Sequence, residues 1–171
     1  MESTAYDAVV SGLVLNFIPD VARGIAEMVR AVRPSGTVAA YVWDYAGKME
    51  IMRQFWDVAV ALDPAASKFD EGQREPPLCN PEALKEHFVG AGLTGVEARS
   101  IDAAAHFVDF DDYWVPFAGK QGSAPTYLMS LGDESRRLLK ERLRAALPIA
   151  TDGPIDLIAR ARAVRGQRAG G

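Results

Sequence analysis

The strongest constraint in this sequence is the alternation at its start, where two nearly continuous apolar runs flank one amphipathic segment. The apolar runs are Tyr6–Leu15 and Thr37–Trp43. Neither alternates polar with apolar residues, which is typical of strands covered on both faces. Between them, apolar residues recur at helical spacing and predict a helix over Val21–Ala31, with Asp20 as its N-cap. Strand, helix and strand joined by short turns predict a parallel sheet with right-handed crossovers.

The rest of the chain continues the alternation of helices and strands. The further predicted elements are a helix over Lys48–Leu62, a loop over Asp63–Cys79, a helix beginning at Asn80-Pro81-Glu82 and ended by Gly92, a strand over Leu93–Ala103, a helix over Glu134–Ala146, a turn at Asp152-Gly153-Pro154 and a strand over Ile155–Val164. The order predicts an α/β fold. One domain over residues 1–166 and a flexible tail over 167–171 are expected.

Composition narrows the possible partners of the chain. One cysteine, Cys79, rules out an internal disulfide and a cysteine-only zinc site, and two histidines argue against a histidine-based metal cage. A net charge of −4 argues against nucleic acid or an anionic membrane as the main partner. The longest apolar stretch, Ala8–Ile18, is about half of the ~20 residues that span a membrane, and Met1–Thr4 lacks a signal-peptide layout. A cytoplasmic protein is expected.

Four short motifs occur in a fixed order along the chain. The first motif is a strand, Tyr6–Ser11, followed by Leu15–Asp20. The second, Val32–Thr37, has the form L-(R/K)-P-G-G, with Ser35 where glycine is usual. The third, Phe88–Leu93, has the form F-x-x-A-G-(L/F), and the fourth is a final strand, Ile155–Val164. In this order they resemble the fourth to seventh strands of the class I S-adenosylmethionine-dependent methyltransferases. Within that family, the sequence most resembles the methyltransferase type 11-like, small-molecule subgroup, which is similar to ubiquinone and menaquinone biosynthesis enzymes. The resemblance implies an incomplete Rossmann-like sheet with flanking helices, its last strand antiparallel.

The sequence departs from this family in the cofactor-cradling half. The family's G-x-G-x-G loop after the first strand, and the acidic residue that holds the ribose hydroxyls, are both absent. Gly90-Ala91-Gly92 runs from a helix into a strand, whereas a cofactor loop runs from a strand into a helix, so a helix C-cap is its expected role. Without the family's first strand, Tyr6–Leu15 is expected to be an exposed sheet edge through which copies of the chain associate.

The resemblance implies a cofactor segment and an acceptor pocket. Ser11, Gly12 and Leu13 match residues that contact S-adenosylmethionine in the family, although Gly12 could simply allow close packing. Trp43, Asp44 and Tyr45 follow the next strand, so they share the carboxyl edge of the sheet with that segment. They are expected to line the acceptor pocket, and a core tryptophan followed by a polar turn is the alternative.

An aromatic segment over Phe107–Phe117 is the second candidate for the acceptor pocket. The family carries lids near this position, so Tyr113 and Trp114 are expected in the pocket, although aromatic residues at helical spacing are more often core. Asp111 is a possible helix cap, and paired catalysis by Asp109 and Asp112 would require a raised pKa. The loop 119–125 could act as a gate.

His106, beside the aromatic segment, is the weak candidate for a general base. His87 lies in a predicted helix and is the weaker of the two histidines. The arginines near the C-terminus could hold a phosphate, but a solvated strand face followed by a tail is the ordinary explanation and is favoured; they are Arg160, Arg162, Arg165 and Arg168. No metal site is expected.

Two functions from different classes remain open after the sequence analysis. The first is methyl transfer from S-adenosylmethionine to a small-molecule acceptor, as the resemblance implies. The second is a non-catalytic, truncated methyltransferase-like domain that serves as a dimerisation or interaction module. A hydrolase acting through Ser11 is a third, weaker possibility, because Ser11 lacks the first glycine of the nucleophile elbow.

Overall fold

The computed structural model describes residues 5–73, 78–119, 121–148 and 153–170. The helices and strands are β1 Tyr6–Gly12, α1 Val21–Ala31, β2 Val32–Trp43, α2 Glu50–Leu62, α3 Pro81–Gly90, β3 Leu93–Phe107, α4 Phe110–Trp114, α5 Ser123–Ser130, α6 Asp133–Ala146 and β4 Ile155–Arg168. Short 3-10 turns occupy Leu15–Phe17, Pro64–Phe69, Glu71–Gln73 and Val115–Ala118.

The chain forms two compact units. The first comprises the described residues of Met1–Asp44, Glu75–Ile101 and Arg160–Gly171, and the second those of Tyr45–Arg74 and Asp102–Ala159. Each unit has its own hydrophobic core. β3 and β4 each contribute residues to both units.

The four strands form one sheet in the order β1-β2-β4-β3. β1 runs parallel to β2, with Val9 opposite Val38, and β4 runs antiparallel to β2, with Gly166 opposite Val38. A parallel pair followed by an antiparallel last strand is what the resemblance implies. The mixed α/β class predicted from the sequence is confirmed.

Local capping residues determine where the helices of the first unit begin and end. The side chain of Asp20 accepts a hydrogen bond from the amide of Arg23 at 2.9 Å, and α1 has the bounds that the sequence predicts. Asn80 caps α3 by accepting from the amide of Glu82 at 2.9 Å, and Gly92 follows the helix at φ +80°. Helix packing onto the strands builds the core of this unit, whose largest fully buried members are Leu15, Ile25, Val32, Leu84 and Phe88.

Aromatic side chains dominate the core of the second unit. Phe55 stacks on Phe117 with ring centroids 4.7 Å apart, and Trp56 meets Phe55 edge to face at 5.0 Å. Tyr113 is fully buried, and its hydroxyl donates to the carbonyl of Ile51 at 2.8 Å. Burial raises the pKa of Tyr113 far above its ordinary value, so this hydroxyl stays protonated and remains a donor.

The ends of the sheet differ from the sequence prediction. The apolar run of β1 is typical of a strand covered on both faces, yet all residues of β1 are exposed or half-buried, and among the described strands it lies at an edge of the sheet. The predicted flexible tail is also wrong at its start, because β4 continues to Arg168 and Gln167 lies opposite Thr37. The Arg168 guanidinium donates to the carbonyl of Val32 at 2.7 Å and so fastens the end of β4 near the end of α1.

Several local predictions need correction in the second unit. Asp109, and not Asp111, caps α4, because its Oδ1 accepts from the amide of Asp112 at 2.8 Å. Part of the predicted loop 119–125 forms the start of α5. The predicted turn at 152–154 begins outside the described residues, as does Met1–Thr4.

None of the helices seen in the described ranges has the length and apolar character needed to cross a bilayer. The same ranges contain no group of three or more metal-ligating side chains.

Candidate functional site

The predicted cofactor segment lies at the carboxyl end of β1. A side chain at Gly12 would place its Cβ 2.7 Å from Cζ of Tyr41, so the ring of Tyr41 packs directly over this glycine. Leu13 adopts φ +58°, a conformation that a bulky L-residue rarely takes, and its amide donates to the carbonyl of Tyr41 at 2.8 Å. The contact between Gly12 and Tyr41 therefore agrees with close packing, which the sequence analysis gave as the alternative role of Gly12. A contact from Ser11, Gly12 or Leu13 to a cofactor stays a prediction.

Asn16 is a polar residue in this region that the sequence analysis did not single out. It lies in the 3-10 turn after β1, and its side-chain Oδ1 is buried without a hydrogen-bond partner among the described residues. A buried acceptor without a donor costs about 1–3 kcal/mol, so such an atom marks a place where a ligand or water can bind. The only sequence signal was an asparagine directly after a strand.

Asp44 is a buried carboxylate at the carboxyl end of β2. Its Oδ2 lies 2.9 Å from Nη2 of Arg162 on β4, and its backbone amide donates to the carbonyl of Arg160 at 2.9 Å. Arg162 also donates to Oγ of Ser100 at 2.5 Å, while its Nε is buried without a partner among the described residues. The sequence analysis named both residues but not their pairing, because the pairing depends on the antiparallel register of β2 and β4.

Tyr45 belongs to the second unit, where Arg53 of α2 holds its backbone. Arg53 donates to the carbonyl of Tyr45 at 3.1 Å and contacts both oxygens of Asp70 at 2.9 Å. Burial alone would lower the pKa of Arg53, but hydrogen bonds and charge attraction from Asp70 raise it above its usual value. The loop carrying Asp70 thus anchors the chain beside the predicted pocket residue.

The two aromatic pocket candidates lie in the core of the second unit. Tyr113 and Trp114 are both buried, and both pack against Phe117. Their burial agrees with the alternative that aromatic residues at helical spacing form core. Trp43 and Asp44 are in the first unit, whereas Tyr45, Tyr113 and Trp114 are in the second. The shared pocket stays a prediction.

His106, the weak general-base candidate, forms a pair on the surface. Its Nδ1 lies 2.7 Å from Oδ1 of Asp156, and the side chains of His106 and Asp156 are 59% and 80% exposed. A carboxylate on Nδ1 favours the tautomer whose Nε2 is free to accept a proton. The geometry permits a base role for His106 but places it in water.

The other charged candidates make contacts within the chain. Asp109 and Asp112 accept hydrogen bonds from backbone amides at 2.8 and 3.0 Å, as capping residues do, so neither is arranged as one of a catalytic pair. Arg165 pairs with Glu97 at 3.0 Å, and Arg168 binds backbone carbonyls. These contacts favour a structural role for the C-terminal arginines over phosphate binding.

Comparisons with known proteins identify the fold. A family model described as a methyltransferase domain matches residues 1–40, and no curated protein sequence matches the chain significantly. A suspected type II methyltransferase from Anaeromyxobacter dehalogenans superposes with a TM-score of 0.63 at 16% identity, covering 100% of this chain and 68% of that one. YcgJ from Bacillus subtilis gives 0.51 at 16% identity, with 100% and 67% covered. A suspected methyltransferase from Bacillus halodurans gives 0.51 at 11% identity, with 99% and 67% covered.

The sheet order, the antiparallel last strand and these comparisons agree. The chain has the fold of the class I S-adenosylmethionine-dependent methyltransferases, and the resemblance to that family inferred from its motifs is confirmed.

Proposed function

We propose that this chain takes part in methyl transfer from S-adenosylmethionine to a small-molecule acceptor, as one side of the catalytic site. The observation that carries the proposal is the sheet: β1 and β2 are parallel, so Ser11–Leu13 and Trp43–Asp44 lie at the same edge. In open α/β sheets, ligands bind outside the carboxyl ends of the strands. The methyltransferase-domain match over residues 1–40 supports the same assignment.

The residues present fit one side of the cofactor. Asn16 offers a buried acceptor oxygen that has no donor within the described part of the chain, which suits an amino or hydroxyl group of S-adenosylmethionine. No glycine-rich strand-to-helix loop occurs in the sequence to surround the other side. The cofactor, when bound, supplies an electrophilic methyl group on a positively charged sulfur. Gly12 and Asn16 would hold it at the strand edge.

Methyl transfer by in-line displacement demands mainly that the acceptor be held in position. Well-oriented reactants gain as much as about 7–11 kcal/mol from positioning. Asp44, fixed by Arg162, is a rigid polar group at the carboxyl edge where an acceptor would be oriented. A dedicated base is not required, so we expect His106→Ala to retain most of the activity.

Titration calorimetry of the chain with S-adenosylmethionine tests the proposal. Saturable binding in the micromolar range, about −8 kcal/mol, is expected, with S-adenosylhomocysteine binding in competition. Asn16→Ala removes the free acceptor and should weaken binding about 2- to 10-fold. Asn80→Asp, which keeps the cap of α3, is the control and should bind as the wild type does. Absence of heat at millimolar cofactor would contradict the proposal.

The exposed strand β1 favours a second candidate function, namely dimerisation through the sheet edge. Among the described strands, β1 is one of the two edge strands of the sheet and pairs only with β2. Val10 is 63% exposed, and no charged residue lies between Ala8 and Ile18. Two copies of β1 can therefore pair antiparallel about a two-fold axis, with Asp7 near the end of the paired segment.

Sedimentation at tens of micromolar tests this second function. The wild type is expected to dimerise, and Val10→Lys, which places a charge on the exposed strand, is expected to shift the chain to monomer. Val89→Lys makes the same change at an equally exposed site on α3 and should leave the dimer intact. A monomeric wild type, or equal dissociation by both variants, would count against edge pairing.

A further inference from the structure

A pocket of about 230 Å³ opens in the second unit beside α2, α5 and α6. Its walls are mostly leucine side chains. Leu62 and Leu138 are 41% and 40% exposed at its rim, and the buried Leu139 lies deeper. An apolar cavity of roughly 150 Å³ is enough to hold a benzene ring, so this pocket can hold a small hydrocarbon body. No residue of the predicted cofactor or acceptor site lines it.

One carboxylate contributes the charge in this pocket. Asp63 lies at the end of α2, is half-buried, and uses Oδ1 to accept from the amide of Ala65 at 3.0 Å. Its Oδ2 lies 3.3 Å from the hydroxyl of Tyr127. No lysine, arginine or histidine in the described ranges forms an ion pair with Asp63. Among the described residues, the carboxylate beside these apolar walls thus receives hydrogen bonds from neutral donors alone, the amide of Ala65 and the hydroxyl of Tyr127.

Tyr127 is a neutral hydrogen-bond donor beside the carboxylate of Asp63. Burial, and next the nearby charge of Asp63, raise the pKa of the Tyr127 phenol, so it stays protonated and donates toward the carboxylate. Tyr127 is also among the residues that line this pocket. The carboxylate of Asp63 therefore favours a positively charged group in this pocket and disfavours an anion.

We propose that this pocket binds a small organic ammonium ion with a hydrocarbon body. The ammonium group pairs with Asp63 and the hydrocarbon packs against Leu62, Leu138 and Leu139. A neutral analogue keeps the apolar contacts but cannot neutralise the carboxylate, so it binds more weakly. Binding at this site requires neither S-adenosylmethionine nor methyl transfer. The proposal is therefore independent of the proposed function.

Two probes of matched shape test the site by NMR titration of the ¹⁵N-labelled chain at neutral pH. Benzylammonium is expected to shift the amides of residues around Leu62, Tyr127 and Leu139, and benzyl alcohol is expected to bind at least tenfold more weakly. Equal affinity of the two probes, shifts elsewhere in the chain, or no shift at 10 mM benzylammonium would overturn the proposal.

Asp63→Asn supplies the matched variant. Asparagine retains the acceptor that caps the 3-10 turn, so the fold is expected to persist. The variant should bind benzylammonium and benzyl alcohol equally. Glu134→Gln removes the same charge from an exposed position of α6 outside the pocket and should keep the tenfold preference. A preference that survives in Asp63→Asn would overturn the assignment of the charge. The wild-type comparison of the two probes decides the proposal even if Asp63→Asn is unstable.

Discussion

Asp70→Ala is expected to lower the free energy of unfolding by about 3–5 kcal/mol, the cost of removing one partner of a buried ion pair. Three hydrogen bonds of 2.9 Å join Arg53 to the carboxylate of Asp70, and the two side chains are only 15% and 3% exposed. The same carboxylate accepts from the amide of Gly72 at 2.8 Å. Alanine would leave Arg53 charged, largely buried and without its main counter-charge.

Asp57→Ala is the matched control, because Asp57 pairs with the same guanidinium. Its Oδ1 lies 3.0 Å from Nη2 of Arg53, but its side chain is 71% exposed. Exposed pairs one helical turn apart contribute about 0.3–0.5 kcal/mol, so the loss should be small. Urea unfolding followed by tryptophan fluorescence suits both variants, since the indole of Trp56 donates to Glu71 at 2.7 Å beside Asp70. Equal losses from the two variants would refute the argument.

The double variant Arg53→Met/Asp70→Leu separates the cost of an unpaired charge from the value of the pair. Replacing a buried ion pair by apolar residues of similar size is often neutral or stabilising. The double variant should therefore be more stable than Asp70→Ala. A further loss relative to Asp70→Ala would mean that the pair contributes specific stability, for example through the hydrogen bond from Arg53 to the carbonyl of Tyr45.

Elements bounded by local chemistry could be predicted from the sequence. α1 and α3 begin where Asp20 and Asn80 accept amide hydrogen bonds, and α3 ends before Gly92 at positive φ. Each signal depends on residues within one turn of the helix end. The antiparallel direction of the last strand followed from the family resemblance that the ordered motifs carry.

Features that depend on distant contacts could not be predicted. The apolar run of β1 indicates a strand suited to burial, but whether anything covers it depends on other elements. The end of β4 has no apolar pattern, yet hydrogen bonds to β2 and the contacts of Arg168 order it.

The candidate site shows the same limit of prediction. The sequence located Asp44 at a strand end, but Arg162 becomes its partner only through the sheet register. Helical spacing of Tyr113 and Trp114 was consistent with core or pocket, and only the packed structure shows their burial. The pocket at Asp63 combines residues of several helices that no local motif connects.

The last prediction concerns the turn between α1 and the sheet-forming part of β2, where neighbouring residues should respond with opposite signs. Gly36→Ala is expected to lower stability by about 1–3 kcal/mol, the usual cost of overpacking. A Cβ at this buried position would lie 2.6 Å from Cγ2 of Val32, 2.8 Å from the carbonyl oxygen of Asp7 and 2.9 Å from that of Arg33. Two of these atoms are backbone and cannot rotate away.

Ser35→Gly is expected to raise stability by about 0.5–1 kcal/mol. Ser35 is exposed and adopts φ +60°, which costs an L-residue roughly 1–2 kcal/mol, partly offset in glycine by greater freedom of the unfolded chain. Thermal and urea unfolding of both variants and the wild type would measure the two shifts. Opposite signs would mean that the two glycines of the family's P-G-G form serve different needs. At position 35, glycine relieves the strain of a left-handed backbone conformation, which serine adopts at an energetic cost. At position 36, glycine leaves room for neighbouring backbone atoms, with which any side chain would clash. A loss in both variants would instead mean that the Ser35 side chain stabilises the turn by more than its backbone conformation costs.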